Sequence, residues 1–506
     1  MPREIHRNLP LVHELVQNLN NNYCFLPQTA YVITCYLIFM KIISAEEMTA
    51  LDANCRYFGL LPLQLMENAG SALAREVRAR ATGRKIAIVA GRGNNGGDAF
   101  VAARHLVGFD VTVYLLGRAR EIATEEAKRN WQILEWLGYD LREVKDCSQL
   151  VLGDCDLIVD AIFGTGIRGQ VSGIEAMAID AINASSKPVI SVDVPSGLGA
   201  NKVVRADATV TFHRKKPDMP ENVVVVDIGI PPEAEFFVGE GDLWLMGRRA
   251  LESHKGDSGR ILVIGGGPYT GAPALSAMAA LRAGADIVTV AAPKTAARTI
   301  SSYSPNLIVQ ELSKDHLCME DLEVLEKQIA RHDVVVMGMG LGRHPETAEA
   351  LAEIMPLCKK TVIDADALQP DLPLKGIVTP HAGEFKRISG ISLVDLDYRK
   401  RVEPLRSFAS ERGLVVLLKG KVDLISDGDV VRANTTGNPG MTVGGTGDVL
   451  AGVTAAFYSR SSAIRAATAA AYVNGRAGDL VYPEKDFGMV ATDVIEKIPL
   501  AMKIRE

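Results

Sequence analysis

In residues 434–452, NTTGNPGMTVGGTGDVLAG, one carboxylate, Asp448, follows a run of glycines and precedes an apolar stretch. Glycines let backbone N–H groups crowd around an anion, and a helix beginning at Gly447 would aim its positive end at the same point. A lone acid there can act as a base on a hydroxyl held against a phosphate, with residues 444–447 forming the anion hole. An Asp capping an ordinary helix is the plain alternative. A second glycine-rich run, GRGNNGGDAF at 91–100, brings Asn94, Asn95, Gly96, Gly97 and Asp98 to one turn. Asp160, before AIFGTGIRGQ, and Asp193, before VPSG, stand at the ends of apolar runs, where an Asp can also simply form a turn. His381 in TPHAGE and Lys419 in LLKGK are further polar groups beside glycines, each with a solvated-loop alternative.

The apolar runs between these residues are what must position them. KIAIVA at 85–90 reads as a strand running into GRGNNGGD, and strand, glycine turn, helix is the geometry of a nucleotide-binding crossover. The spacing differs from GxGxxG. Further strands are expected at 111–116, 156–160, 187–192 and near 208–212, with helices at 62–80 and 124–137. The pattern resets near residue 251, with strands at 260–264, 286–291, 333–337, 361–364 and 376–378, a helix at 274–283, and a short strand pair within 414–426. The predicted fold class is α/β in two domains, without a repeat of 20–50 residues. In open α/β sheets ligands bind off the carboxyl ends of the strands, so the loops after residues 90, 160 and 192 should converge.

At 506 residues the chain exceeds a single core. Hydrophobic content of 47% and charged content of 23% are ordinary for a globular protein, and a net charge of -6 gives no basis for nucleic acid or an anionic membrane as partner. Seven scattered cysteines without a CxxC pair point to reduced thiols and a cytoplasmic setting rather than a disulfide framework or a zinc site. The apolar stretch 30–40 is too short to span a membrane. Ser44 and Glu47 form a capping box opening an amphipathic helix, so Met40 is the expected physiological start and 1–39 a dispensable extension.

MENAG at 66–70, NNGGDAF at 94–100, DAIFGTGIRG at 160–169 and VDVPSG at 192–197 resemble the NAD(P)H-hydrate epimerase family over roughly residues 40–245. Ala99 departs from that pattern, standing where glycine usually follows the Asp. The resemblance implies a Rossmann-like epimerase domain at 40–250. It implies that residues 94–98 and Gly164, Thr165, Gly166, Ile167, Arg168, Gly169 and Gln170 hold the dinucleotide, and that Asn95, Asp160 and Ser196 hold a potassium ion. Asp193 is the expected acid/base group.

The second half resembles the ribokinase-like ADP/ATP-dependent NAD(P)H-hydrate dehydratase family through GDSGRILVIGG, GAPALSA, GMGLG, HAGEF, LKG and the 434–452 run. It departs in lacking a proline after His381 and in having Asp423 where threonine is common. The implied dehydratase domain is 251–506. Ala272, Gly340, His381 and Asp448 are expected at the hydrate, and Lys419, Gly420, Lys421, Val422, Asp423 and Gly447 at the nucleotide, with ADP and magnesium. Together the resemblances imply repair of NADH or NADPH hydrated across the nicotinamide 5,6 double bond. Epimerisation of the R and S hydrates would be followed by dehydration of the S form, converting ADP to AMP and phosphate. A homo-oligomer acting on small molecules is the expected assembly. The rival reading is a ribokinase-like small-molecule kinase fused to a nucleotide-binding scaffold.

Overall fold

The computed structural model describes residues 42–504 apart from 168, 248, 250 and 251, so the expectations for the leading extension and for Arg168 fall outside the described residues. Ser44 caps the helix Ala45–Tyr57: its hydroxyl accepts from Glu47 N–H, and the Glu47 carboxylate accepts from Ser44 N–H. Pro62 opens the helix Pro62–Arg80, where its missing N–H costs no helical bond.

The first sheet has seven strands, β1 (Lys85–Ala90), β2 (Asp110–Leu116), β3 (Asp140–Val144), β4 (Leu157–Ala161), β5 (Val189–Val192), β6 (Ala208–Phe212) and β7 (Val223–Val226). They are all parallel, in the order β3-β2-β1-β4-β5-β6-β7. The order reverses between β1 and β4, so a crevice opens off their carboxyl ends, the place where such sheets take ligands. β1 and β4 to β6 are almost wholly buried, as expected for parallel strands covered on both faces.

The second sheet has nine strands: β8 (Arg260–Ile264), β9 (Ile287–Ala292), β10 (Ile308–Glu311), β11 (Val334–Met337), β12 (Thr361–Ile363), β13 (Ile377–Val378), β14 (Val415–Leu418), β15 (Asp423–Ser426) and β16 (Val431–Asn434). Their order is β10-β9-β8-β11-β12-β13-β14-β15-β16, with only the β14-β15 and β15-β16 pairs antiparallel. Strands β3, β10 and β16 lack the apolar runs that announced the others, whereas β7 (VVVV) carries one that was not picked out. β3 (DLREV) and β10 (IVQE) are edge strands, half polar, and their register comes from their neighbours.

The chain passes between the sheets through a segment of which residues 231–246 pack on both. Asp242, on the short helix Glu240–Trp244, accepts from Asn54 Nδ2 at 3.1 Å on the first side and from Arg432 Nη2 at 2.9 Å on the second. Val238 N–H donates to Ala433 O, and Glu46 pairs with Arg465 at 3.3 Å. No helix of the described residues is long and apolar enough to cross a membrane.

The helix Thr446–Tyr458 lies against the helix Gly271–Arg282 so closely that a β-carbon added at Gly452 would sit 2.1 Å from Ser276 O. The backbone cannot yield cheaply there. Gly452→Ala is expected to cost about 1–3 kcal/mol, the usual range for overpacking a core. A lowered denaturation midpoint checks it; an unchanged midpoint would show that the two helices can separate.

Candidate active sites

Helix Thr446–Tyr458 starts one residue before the expected Gly447, because Gly445 takes the cap position with φ at 98°, a left-handed conformation suited to glycine. Thr446 Oγ donates to Met441 O and lies 3.1 Å from Val443 O, tightening the loop. The loop's start is tied down as well: Gly437 N–H and Asn438 Nδ2 both donate to the Asp479 carboxylate. Asp448 thus stands, half-buried, in the first turn of the helix.

Lys419 follows β14, and its N–H donates to Pro380 O, which sets it beside His381. The Lys419 ammonium lies 2.8 Å from Asp364 Oδ1 and 3.8 Å from Glu384 Oε2. It also lies 3.4 Å from where a β-carbon on Gly447 would be, so it reaches the anion loop. Burial would lower the ammonium's pKa, but Asp364 and Glu384, with Asp448 behind them, raise it instead. Lys419 is therefore a fixed positive charge. Asp448 is pushed up to about 7, by burial first and then by Asp364 and Glu384, against the opposing pull of Lys419. A carboxylate poised there can take a proton near neutral pH.

The other residues expected in this half fall into two groups. Ala272, in the first turn of the helix Gly271–Arg282, belongs to the element whose Ser276 hydroxyl donates to Asp448 O at 2.6 Å. Gly340, with φ at 70°, abuts Tyr269 O across the adjoining loop. His381 caps the helix Ala382–Ser389, its Nδ1 accepting from Gly383 and Glu384 N–H while the rest of the ring stays exposed. Asp423 turns inward: its carboxylate accepts from Gly420 N–H and Asn434 Nδ2, and burial lifts it to about 6 despite those bonds. It braces the turn holding Gly420, exposed Lys421 and half-buried Val422. Asp364 and Glu384 were not singled out from the sequence. Asp364 carries the same signature as Asp193, an Asp just after a strand.

In the first half the loops after β1, β4 and β5 meet around a cavity of about 1110 Å³. Its wall includes Asn94, Asn95, Asp98, Gln170, Asp193 and the run 164–167. Gly96 and Gly97 lie behind the wall in the buried first turn of the helix Asn94–His105, and Gly169 is also off it. Asp193 is held with φ at 62°, an uncommon conformation for a non-glycine residue and one that clusters at functional sites. Its Oδ1 accepts from Lys216 Nζ at 2.5 Å. Asp160 is fully buried and accepts from Ser191 Oγ at 2.7 Å and Ser196 N–H at 2.9 Å. Burial raises its pKa even against those bonds. Ser196 Oγ is itself paired with the Phe163 backbone. Asp52, Lys216, Trp244 and Ile504 also line the cavity. Lys216 was legible in principle, since it lies in the loop after β6 on the same edge of the sheet; Asp52 looks like any polar residue of an amphipathic helix.

Comparison with known proteins agrees with this division. The model of the family described as NAD(P)H-hydrate dehydratase matches residues 261–500, and that described as YjeF-related protein N-terminus matches 62–218. The bifunctional NAD(P)H-hydrate repair enzyme Nnr of Archaeoglobus fulgidus is 44% identical over 476 residues, covering 92% of this chain and 99% of that protein. The chain belongs to this family of bifunctional NAD(P)H-hydrate repair enzymes. The Nnr enzyme of Methanothermobacter thermautotrophicus is also 44% identical, over 494 residues, covering 91% of this chain and 95% of that protein. A ribokinase-like superfamily protein of Enterococcus faecalis is 25% identical with a TM-score of 0.47, covering 53% of this chain and 95% of that one.

The Lys419 cluster makes a prediction that needs no substrate. Asp448 should titrate near pH 7, and Lys419→Met should move that titration upward, because the ammonium is the one neighbour favouring the charged form. Carbon NMR of labelled aspartate follows both. A titration in the ordinary carboxylate range, or a downward move in the variant, would contradict the geometry.

Proposed function

We propose that this repair enzyme works by two acid/base sites in series, residues 40–250 equilibrating R and S hydrates and residues 251–506 dehydrating the S form with ADP. The observation that supports this most is that each sheet carries, at its own carboxyl edge, a carboxylate beside a lysine: Asp193 with Lys216 and Asp448 with Lys419. In the second half, Asp448 deprotonates the hydrate's hydroxyl. The N–H groups at the start of the helix Thr446–Tyr458 and the Lys419 ammonium stabilise charge on the transferring phosphoryl group. Phosphate then leaves carbon 6 where hydroxide would leave poorly, the departing phosphate takes the carbon 5 proton, the 5,6 double bond returns, and AMP and phosphate are released. Asp364 and Glu384 supply the hard oxygen donors that suit magnesium, which would neutralise phosphate charge. Ala272, Gly340 and His381 are assigned to the hydrate side, and Gly420, Lys421, Val422, Asp423 and Gly447 to the nucleotide side.

In the first half, Asn94, Asn95, Asp98 and the 164–170 loop hold the dinucleotide with the hydrated ring toward Asp193. Potassium fits Asn95, Asp160 and Ser196. Among the described residues no cationic side chain pairs with buried Asp160, a costly state that a cation relieves. Asn95 Nδ2 is buried without a partner, as expected if its carbonyl end is the working one. The ion would supply positive charge beside the bound dinucleotide. The kinase-and-scaffold reading has no use for the Asp193–Lys216 pair.

Two outcomes test the assignment. Asp193→Asn should dehydrate S hydrate normally but leave R hydrate unrepaired apart from spontaneous epimerisation, a loss of ~10²–10⁴-fold; equal repair of both epimers would sink it. Epimerisation, or the thermal stability of the first half, should depend on potassium, and equal behaviour in a bulky organic cation would remove the ion from the account.

A further inference from the structure

The epimerase cavity is lined by six carboxylates and one lysine, Lys216. Glu121 and Glu175 pair with Arg92 and Glu240 with Arg476, which leaves Asp52, Asp98 and Asp193 to Lys216. That ammonium is used up. It donates to Asp193 Oδ1 at 2.5 Å, to Thr211 Oγ at 2.9 Å and to Phe212 O at 2.8 Å, and its side chain is 3% exposed. An ammonium has three protons, so none is left for another carboxylate. Among the described residues Asp52 and Asp98 have neither an ion pair nor a side-chain hydrogen bond. They differ in access. Asp98, in the first turns of the helix Asn94–His105, is half-buried, whereas Asp52, on the helix Ala45–Tyr57, is exposed to the cavity.

Resting on the epimerase reading above, we infer that Asp52 is the second catalytic carboxylate of the first half, the proton donor that works with Asp193 as acceptor. The hydrate bears its hydroxyl on ring carbon 6, next to the ring nitrogen. Asp52 gives its proton to that oxygen, the carbon–oxygen bond breaks, and the nitrogen lone pair forms a double bond to carbon 6 as water leaves. Water then adds to the other face of the ring, Asp193 takes its proton, and the double-bond pair returns to nitrogen. The net change in the substrate is inversion alone, with one water lost and one gained. The proton that moved from Asp52 to Asp193 returns by exchange with cavity water. Run backwards, the same steps convert the other epimer, so one pair serves both directions.

The charges around Asp52 suit a donor. Asp193 and Asp98 face it, Lys216 is turned to Asp193, Arg56 lies one turn along its own helix, and Glu240 lines the same cavity. Although its side chain reaches the cavity, desolvation by the protein packed around Asp52, and then Asp193, raise its carboxyl to about 7, with Lys216 opposing. Enough of it is therefore protonated at neutral pH to donate. Since the donor must hold its proton, the epimerisation rate should fall as pH rises through about 7.

The test uses the full chain with pure R hydrate and no nucleotide, following the R-to-S ratio by chromatography against pH. Asp52→Asn should lower kcat by ~10²–10⁴-fold and abolish the decline of rate above neutrality. Asp52→Glu should recover part of the rate together with that decline. Dehydration of S hydrate with ADP reports that each variant is folded. Wild-type kcat in Asp52→Asn would overturn the inference, as would a change in KM alone or a lost rate with the alkaline decline intact. A wild-type chain that dehydrates S hydrate yet never interconverts the epimers would overturn the epimerase reading itself.

Discussion

A single ammonium facing more carboxylates than it can neutralise is the interaction on which both halves of the molecule depend. Lys216 is saturated by Asp193 and two oxygens of the strand beside it. Lys419 sits between Asp364 and Glu384 with Asp448 beyond. In each cluster a carboxylate without a lysine bond of its own, Asp52 or Asp448, is left among other carboxylates and surrounding protein, which together push its pKa up to about 7. One arrangement thus sets a lysine-bound carboxylate beside one that exchanges its proton near neutrality, which is what acid/base chemistry at neutral pH requires.

Such clusters are costly, because ions taken out of water recover that cost only with good geometry and further hydrogen bonds. The sheets provide both. Parallel strands buried on both faces hold their carboxyl ends in fixed register, and the residues after β4, β5, β6, β12 and β14 each contribute a group to one of the two sites. The helix starts supply the remaining partners: Glu384 in the first turn after His381, Asp448 in the first turn after Gly445. The Asp242 contact, shared by Asn54 and Arg432, ties the first half's opening helix to the second sheet. It anchors the helix Ala45–Tyr57, on which Asp52 stands.

The architecture was legible wherever a strand is covered on both faces, since such strands are continuous apolar runs; β1, β6 and β8 coincide with the stretches picked out as KIAIVA, 208–212 and 260–264. The edge strands β3 and β10 escaped because half their residues face water and their pairing is set by a neighbour. At the sites, glycine-rich loops announced themselves, and with them Asn94, Asn95, Asp98 and Asp448. Asp364 and Glu384 lay in segments already recognised, but only folding shows that they converge on Lys419. Asp52 lies more than 140 positions before its partner Asp193 and is brought to it solely by the packing of the first helix. Asp423 shows the reverse, a residue whose position suggested nucleotide contact and whose carboxylate is occupied in bracing a turn.

The central claim, that two separate carboxylate–lysine sites act in series on one substrate, is tested most directly by complementation. Chains carrying Asp193→Asn and chains carrying Asp448→Asn are given pure R hydrate and ADP, separately and mixed, and the absorbance of the reduced nicotinamide is followed. Each alone should leave the R hydrate unrepaired beyond its spontaneous rate, and the mixture should restore the full absorbance, because the S hydrate released by one chain is consumed by the other. A mixture no better than either variant, with both proteins folded, would contradict two independent sites.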